Sequence, residues 1–166
     1  MNLPTGVFEY NNFIDEEDRK LLLEYVKFSD KWPNKNKIDF WEDKRLEIVD
    51  GVAEKILLKI RKKLIDLLKE EKLISNTPVI HRMYSGVGMG EHTDNQDIEE
   101  NIYGFVYYIN DDFNGGELVY TEYDYVYKPK AGTLIMHPCS IKHMVKDVLD
   151  GPTRYTVLAF GKTKDY

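Results

Sequence analysis

The sequence predicts a mainly β fold, an antiparallel sandwich or barrel of the jelly-roll kind with helices packed on its outside. Three observations predict it. From Val79 onward, short strand-like runs follow one another with turns rich in Asn, Asp and Gly between them. The first third of the chain instead repeats its apolar residues at helical spacing. The 166 residues, 42% hydrophobic and 31% charged, have the length and composition of one folded domain with a substantial core.

The elements can be justified in order. Asp15 stands where it can cap a helix whose first turn carries Glu16, Glu17 and Asp18, acids favoured beside a helix N-terminus. Leu21, Leu22, Tyr25 and Val26 continue that helix. A second helix is expected from near Asp50, with Val52, Ile56, Ile60, Leu64, Leu67 and Leu68 forming its apolar stripe. Lys59, Lys62, Lys63, Asp66 and Lys69 fall mostly off the stripe, and Asn76-Thr77-Pro78 ends the region. Both stripes are expected to pack on a sheet. Between the helices, "KWPNKNKIDFWEDKRLEI" (31–48) reads as a loop anchored by Trp32, Phe40 and Trp41 plus one strand, or as a flap over a pocket. The strand runs are "VIHRMYS", "IYGFVYYIN", "GELVYT", "DYVYKP", "GTLIMH", "KHMVKDV" and "RYTVLAFG". There is no repeat or linker, so residues 1–166 are expected to form a single domain.

Bulk properties exclude several functions. A net charge of −6 argues against nucleic acid as a partner. The single cysteine, Cys139, rules out an internal disulfide and a Cys-rich zinc site, and nothing marks it as reactive. No apolar run approaches the length of a membrane span and the N-terminus lacks a basic region, so the expected setting is cytoplasmic, with no membrane partner.

The stretch "GEHTDNQDIEE" (90–100) carries the chemistry. If it is extended, His92 and Asp94 project from one face. Two ligands do not hold a metal tightly, and the third must come from His81, His137 or His143, the remaining histidines. Two histidines and a carboxylate on one face of a metal leave open positions, the arrangement of non-haem Fe(II) oxygenases. His143, in the alternating run "KHMVKDV", is the best third ligand. His137, before Pro138 at a strand end, is its rival, and His81 reads as a structural or pocket-wall residue. Arg154 opens an otherwise apolar strand and needs a carboxylate partner, either an internal acid or a dicarboxylate co-substrate. Asp97, Glu99 and Glu100 lack the one-face spacing and read as a solvated acidic face.

These pieces occur together in "RMYSGVGMGEHTDN", "GFVYYINDDFNGGELVYTE", "KPKAGTLIMHPCSIKHMV" and "GPTRYTVLAF". In that order, over residues 79–161, they resemble the Fe(II)/2-oxoglutarate-dependent dioxygenases, and within them the prolyl 4-hydroxylase-like branch. The resemblance implies a double-stranded β-helix (a distorted jelly roll) over residues 79–161, supported by N-terminal α-helices and a possible lid within residues 1–78. It implies His92, Asp94 and His143 as iron ligands, Arg154 on the distal carboxylate of 2-oxoglutarate, and Tyr84 and Tyr108 as tyrosines hydrogen-bonded to that co-substrate. Fe(II), 2-oxoglutarate and O₂ would be required, with ascorbate as an accessory reductant. The implied reaction hydroxylates an unactivated C–H, a peptidyl proline being the leading substrate, with release of succinate and CO₂. Many collagen-modifying relatives use lysine where this chain has Arg154, so the resemblance is nearer the oxygen-sensing and the bacterial or phage type. Residues 36–48 and 93–101 would be the flaps over substrate. Alternatives are hydroxylation of a free amino acid or other small molecule, a non-catalytic metal-binding jelly roll, and a zinc hydrolase.

Overall fold

The computed structural model describes residues 2–33, 45–46, 51–96 and 99–163. After a short strand β1 (Phe8–Tyr10) come helices α1 (Glu16–Phe28) and α2 (Gly51–Leu68). The remaining strands are β2 (Ile74–Ser75), β3 (Val79–Met83), β4 (Met89–His92), β5 (Asn101–Tyr108), β6 (Leu118–Tyr120), β7 (Tyr125–Tyr127), β8 (Leu134–Pro138), β9 (His143–Val145) and β10 (Arg154–Lys162). The expected helices and all seven expected strand runs are present. The very short β1 and β2, and β4 before the turn at Asp94, carried no strand pattern of their own.

The strands form two antiparallel sheets. The larger runs β1-β8-β5-β10-β2, with β3 also paired to β10, and the smaller runs β4-β9-β6-β7. Strands β3 to β10 therefore make two facing sets of four, the double-stranded β-helix that the motifs implied. Alternation along each strand divides the larger sheet into two faces. Phe105, Tyr107, Leu134, Met136, Tyr155, Val157 and Ala159 meet the helices, where Leu22, Val26, Ile56, Ile60, Leu64 and Leu68 complete the larger core. Met83, Tyr108 and Ile135 turn the other way and pack between the sheets with Leu118, Tyr120 and Val145. The functional side chains occupy this second face.

Two helix positions depart from the expected stripes. Leu21 and Val52 are about half exposed, because each helix meets the sheet along a narrower line than its apolar composition allows. Asp15 does cap α1 in an extended conformation, but its side chain makes no capping hydrogen bond, leaving the acids of the first turn as the favourable charge there. Phe40 and Trp41, and all of the 36–48 flap except Arg45 and Leu46, lie outside the described residues.

Candidate metal centre

His92 closes β4 and His143 opens β9, and the register of the two strands sets them directly opposite one another. Directly opposed residues in an antiparallel pair hold their side chains close, and here the ring centroids are 4.4 Å apart. Asp94 is not on the strand. It sits in the turn two residues on, where its backbone N–H donates to the Cys139 carbonyl at 2.9 Å and its carbonyl accepts from the Asn101 side chain at 3.0 Å. The turn brings Asp94 Oδ1 to 3.3 Å from His92 Nε2 and 3.7 Å from His143 Nε2. One ligand atom from each of the three lies within 4.8 Å of the others.

Both histidines are oriented the same way. His92 Nδ1 faces the Gly90 carbonyl at 2.8 Å, and His143 Nδ1 faces the Ile141 carbonyl at 3.0 Å. A carbonyl only accepts, so each Nδ1 carries a proton and Nε2 is the nitrogen left for a metal. That is the tautomer a metal ligand needs, with a backbone acceptor steering the ring. Burial lowers the His143 pKa to about 4, which keeps it neutral. The hydrogen bond to Asp94 raises that of His92. Burial pushes the Asp94 carboxyl upward, but hydrogen bonds with His137 and His92 outweigh it and hold the group well below the usual carboxylate range. An anion grouped with two imidazole nitrogens suits a divalent cation of the iron type.

Arg154, the first residue of β10, opens into the same cavity. It is buried, and burial lowers its pKa. Its Nε donates to the Gly116 carbonyl at 3.2 Å, one terminal nitrogen lies 3.8 Å from Met83 Sδ, and the guanidinium stands 5.2 Å from the Tyr108 ring centroid. Among the described residues no carboxylate ion-pairs with it. A buried, unpaired guanidinium costs several kcal/mol, roughly, unless a ligand supplies the anion. The Tyr108 hydroxyl is buried beside it without a hydrogen bond of good geometry. Val106, Leu158 and Phe160 supply apolar wall to the cavity, and His81 lines it from β3.

The structure thus brings together His92, Asp94, His143, Arg154 and Tyr108. Tyr84 is elsewhere. It lies one residue past Met83, on the side of Arg82, whose guanidinium is 5.7 Å from the Tyr84 ring and 4.5 Å from Trp32. Met83 occupies the place beside Arg154. Phe105 and Tyr107, both on β5, belong to the helix-side core, and Phe105 also borders the cavity. Cys139 is buried and its thiol pKa is raised by burial, in keeping with an unreactive cysteine. Glu99 and Glu100 are exposed, and Asp97 lies outside the described residues.

Two contributors are harder to see from sequence. Gly104 interrupts the apolar run of β5. A Cβ there would come within 2.6 Å of His137 Nε2 and 2.7 Å of Asp94 Oδ2, so only glycine lets the strand pass behind the carboxylate. A glycine inside a strand pattern is the signal for such a close approach. The second is His137 itself, 3.2 Å from Asp94.

Comparison with known proteins bears on this geometry. Residues 78–161, which contain the triad and Arg154, match the family model of the 2OG-Fe(II) oxygenase superfamily. The chain belongs to that superfamily. Membership implies Fe(II), 2-oxoglutarate and O₂, and the carboxylate beside two imidazoles and the unpaired Arg154 fit the first two. A PKHD-type hydroxylase of Rippkaea orientalis is 35% identical over 79 residues, spanning 42% of this oxygenase chain and 36% of that protein. The viral collagen prolyl hydroxylase of Paramecium Bursaria Chlorella virus-1, solved with 2OG, superposes with a TM-score of 0.73 at 14% identity, over 97% of each chain. A Trichoplax adhaerens prolyl hydroxylase, solved with a hypoxia inducible factor oxygen degradation domain peptide fragment, gives 0.70 at 17% identity, over 95% of this chain and 83% of that one. The fold is that of the prolyl hydroxylase-like 2OG oxygenases. Among the described residues, no helix is long and apolar enough to cross a membrane.

Proposed function

We propose that the protein is a prolyl hydroxylase-like dioxygenase in which His92, Asp94 and His143 hold Fe(II) and Arg154, with Tyr108, seats 2-oxoglutarate. The observation that carries this reading is one cavity holding both a carboxylate flanked by two correctly oriented imidazoles and a buried guanidinium lacking an anion. Fe(II) held there would supply O₂ activation, coupled to decarboxylation of 2-oxoglutarate to succinate and CO₂, one oxygen atom going to succinate and the other to a substrate C–H. The chain's own residues supply the geometry. Arg154 neutralises and orients the far carboxylate of the co-substrate, and the Tyr108 hydroxyl is placed to donate to it. Val106, Leu158 and Phe160 keep water from the reacting atoms.

The domain reading follows the same division: residues 79–161 carry the chemistry, and residues 1–78 supply the helices that back the larger sheet. The substrate proposed is a peptidyl proline and the setting cytoplasmic. The unpaired Arg154 speaks against a purely structural metal module, which has no use for it. The test is mass spectrometry of a panel of proline-containing peptides and free amino acids, incubated with Fe(II), 2-oxoglutarate and ascorbate. The expected result is a gain of one oxygen atom on a peptidyl proline, matched by succinate. Oxygen gained on a free amino acid instead would move the substrate class, and succinate formation independent of Fe(II) would overturn the proposal.

A further inference from the structure

His137 stands beside His143, the ring centroids 4.6 Å apart, but reaches the other oxygen of Asp94. It is the penultimate residue of β8, is buried, and faces the interior with Ile135. Its Nε2 lies 3.2 Å from Asp94 Oδ2, and its Nδ1 lies 2.9 Å from the Tyr120 hydroxyl. Tyr120, on β6, is fully buried, and burial keeps its hydroxyl protonated. That O–H has no other hydrogen-bond acceptor among the described residues, so it donates to Nδ1. Nδ1 is then the bare nitrogen of the ring and Nε2 carries the proton. The opposite tautomer would leave the tyrosine proton without an acceptor and aim a lone pair at a carboxylate oxygen.

The tautomer of His137 is therefore the reverse of that in His92 and His143. Those rings give Nδ1–H to backbone carbonyls and offer Nε2 to a metal. His137 gives Nε2–H to Asp94 and has no lone pair to offer there. The two oxygens of Asp94 are thereby divided. Oδ1 faces the ligand histidines, and Oδ2 is occupied by a hydrogen bond. The strand backbone at Gly104 closes the space behind that bond. A carboxylate bound through both oxygens would consume an extra coordination position, whereas oxygen chemistry needs the open ones.

We propose that His137, fixed by Tyr120, is a positioning residue that holds Asp94 to one-oxygen metal binding. This rests on the reading of His92, Asp94 and His143 as the metal ligands. It is tested by titrating the metal-free full chain with Co(II), following its visible absorption, for the parent, His137→Phe, His137→Gln, Tyr120→Phe and His143→Ala. Circular dichroism of each metal-free form reports the fold. The expected loss of Co(II) affinity in folded His137→Phe is about 10- to 100-fold, with an altered absorption band. His137→Gln, whose amide N–H reaches the same place, is expected to restore most of both, and Tyr120→Phe to fall between. Proton NMR of the Co(II)-bound parent should show strongly shifted exchangeable ring protons from two histidines.

Unchanged affinity and absorption in His137→Phe would overturn the proposal, as would a third strongly shifted ring proton, which would make His137 a ligand. Should His137→Phe fail to fold, Tyr120→Phe decides: parent-like affinity and absorption there overturns the proposal as well. Undiminished affinity in His143→Ala would instead overturn the ligand assignment beneath it.

Discussion

At the scale of single residues, protonation and charge assign the roles. His92 and Arg154 give opposite kinds of signature. Because the hydrogen bond to Asp94 raises the His92 pKa above its ordinary 6.5, the metal-free protein carries a proton there that a metal must displace. His143, lowered to about 4, carries none near neutrality. Metal affinity should therefore rise with pH, by about tenfold per unit while His92 is protonated, and level off once it is neutral. Titrations with Co(II) across that range measure the slope; a slope corresponding to two protons near pH 6 would mean that His143 is protonated there as well, against its lowered pKa. Arg154→Ala should raise the 2-oxoglutarate concentration needed for half-maximal succinate release by roughly 10- to 100-fold, the loss of one or two charge-assisted hydrogen bonds. An unchanged requirement would mean another cation seats the co-substrate.

At the scale of elements, strand register decides which residues meet, and it decides how much could be read from sequence. "HTD", "KHMV" and "RYTV" were legible because each carries its chemistry within a few residues. What joins them is long-range: β4 against β9 sets His92 opposite His143, and the pairing of β3 with β10 sets Met83 opposite Arg154. A one-residue change of register or facing exchanges the two faces of a strand, so only the pairing fixes Met83 as the residue turned toward Arg154. In "YYIN", pairing likewise puts Tyr108 between the sheets and Tyr107 on the helix side. His137 was legible as a histidine near the site but not as a partner of Asp94, because its tautomer depends on Tyr120, on another strand. Gly104 offers a direct test at this scale. Gly104→Ala should leave a folded chain but weaken Co(II) binding by at least about tenfold, since the new methyl displaces Asp94 and His137. Parent-like binding would mean that β5 yields and that the close approach is incidental.

At the scale of the whole molecule, a helical layer stiffens the sheet from which the site is built. Leu64 and Leu68 of α2 are fully buried in the core shared with Phe105 and Ala159, on the helix side of the larger sheet. Leu64→Ala should destabilise the metal-free protein by about 2–5 kcal/mol in chemical denaturation, the usual cost of such a cavity, while bound metal and 2-oxoglutarate recover part of the loss by mass action. Failure of both together to raise the unfolding midpoint would argue that they do not bind the native fold. The central claim is that one cavity holds the metal at His92, Asp94 and His143 and the co-substrate at Arg154. The most direct measurement is anaerobic calorimetry of 2-oxoglutarate binding to the Fe(II)-loaded protein, beside His143→Ala and Arg154→Ala. The account predicts binding that saturates at a single molecule per chain, depends on Fe(II), and is severely weakened in both variants. Undiminished binding in either variant, or binding indifferent to the metal, would contradict it.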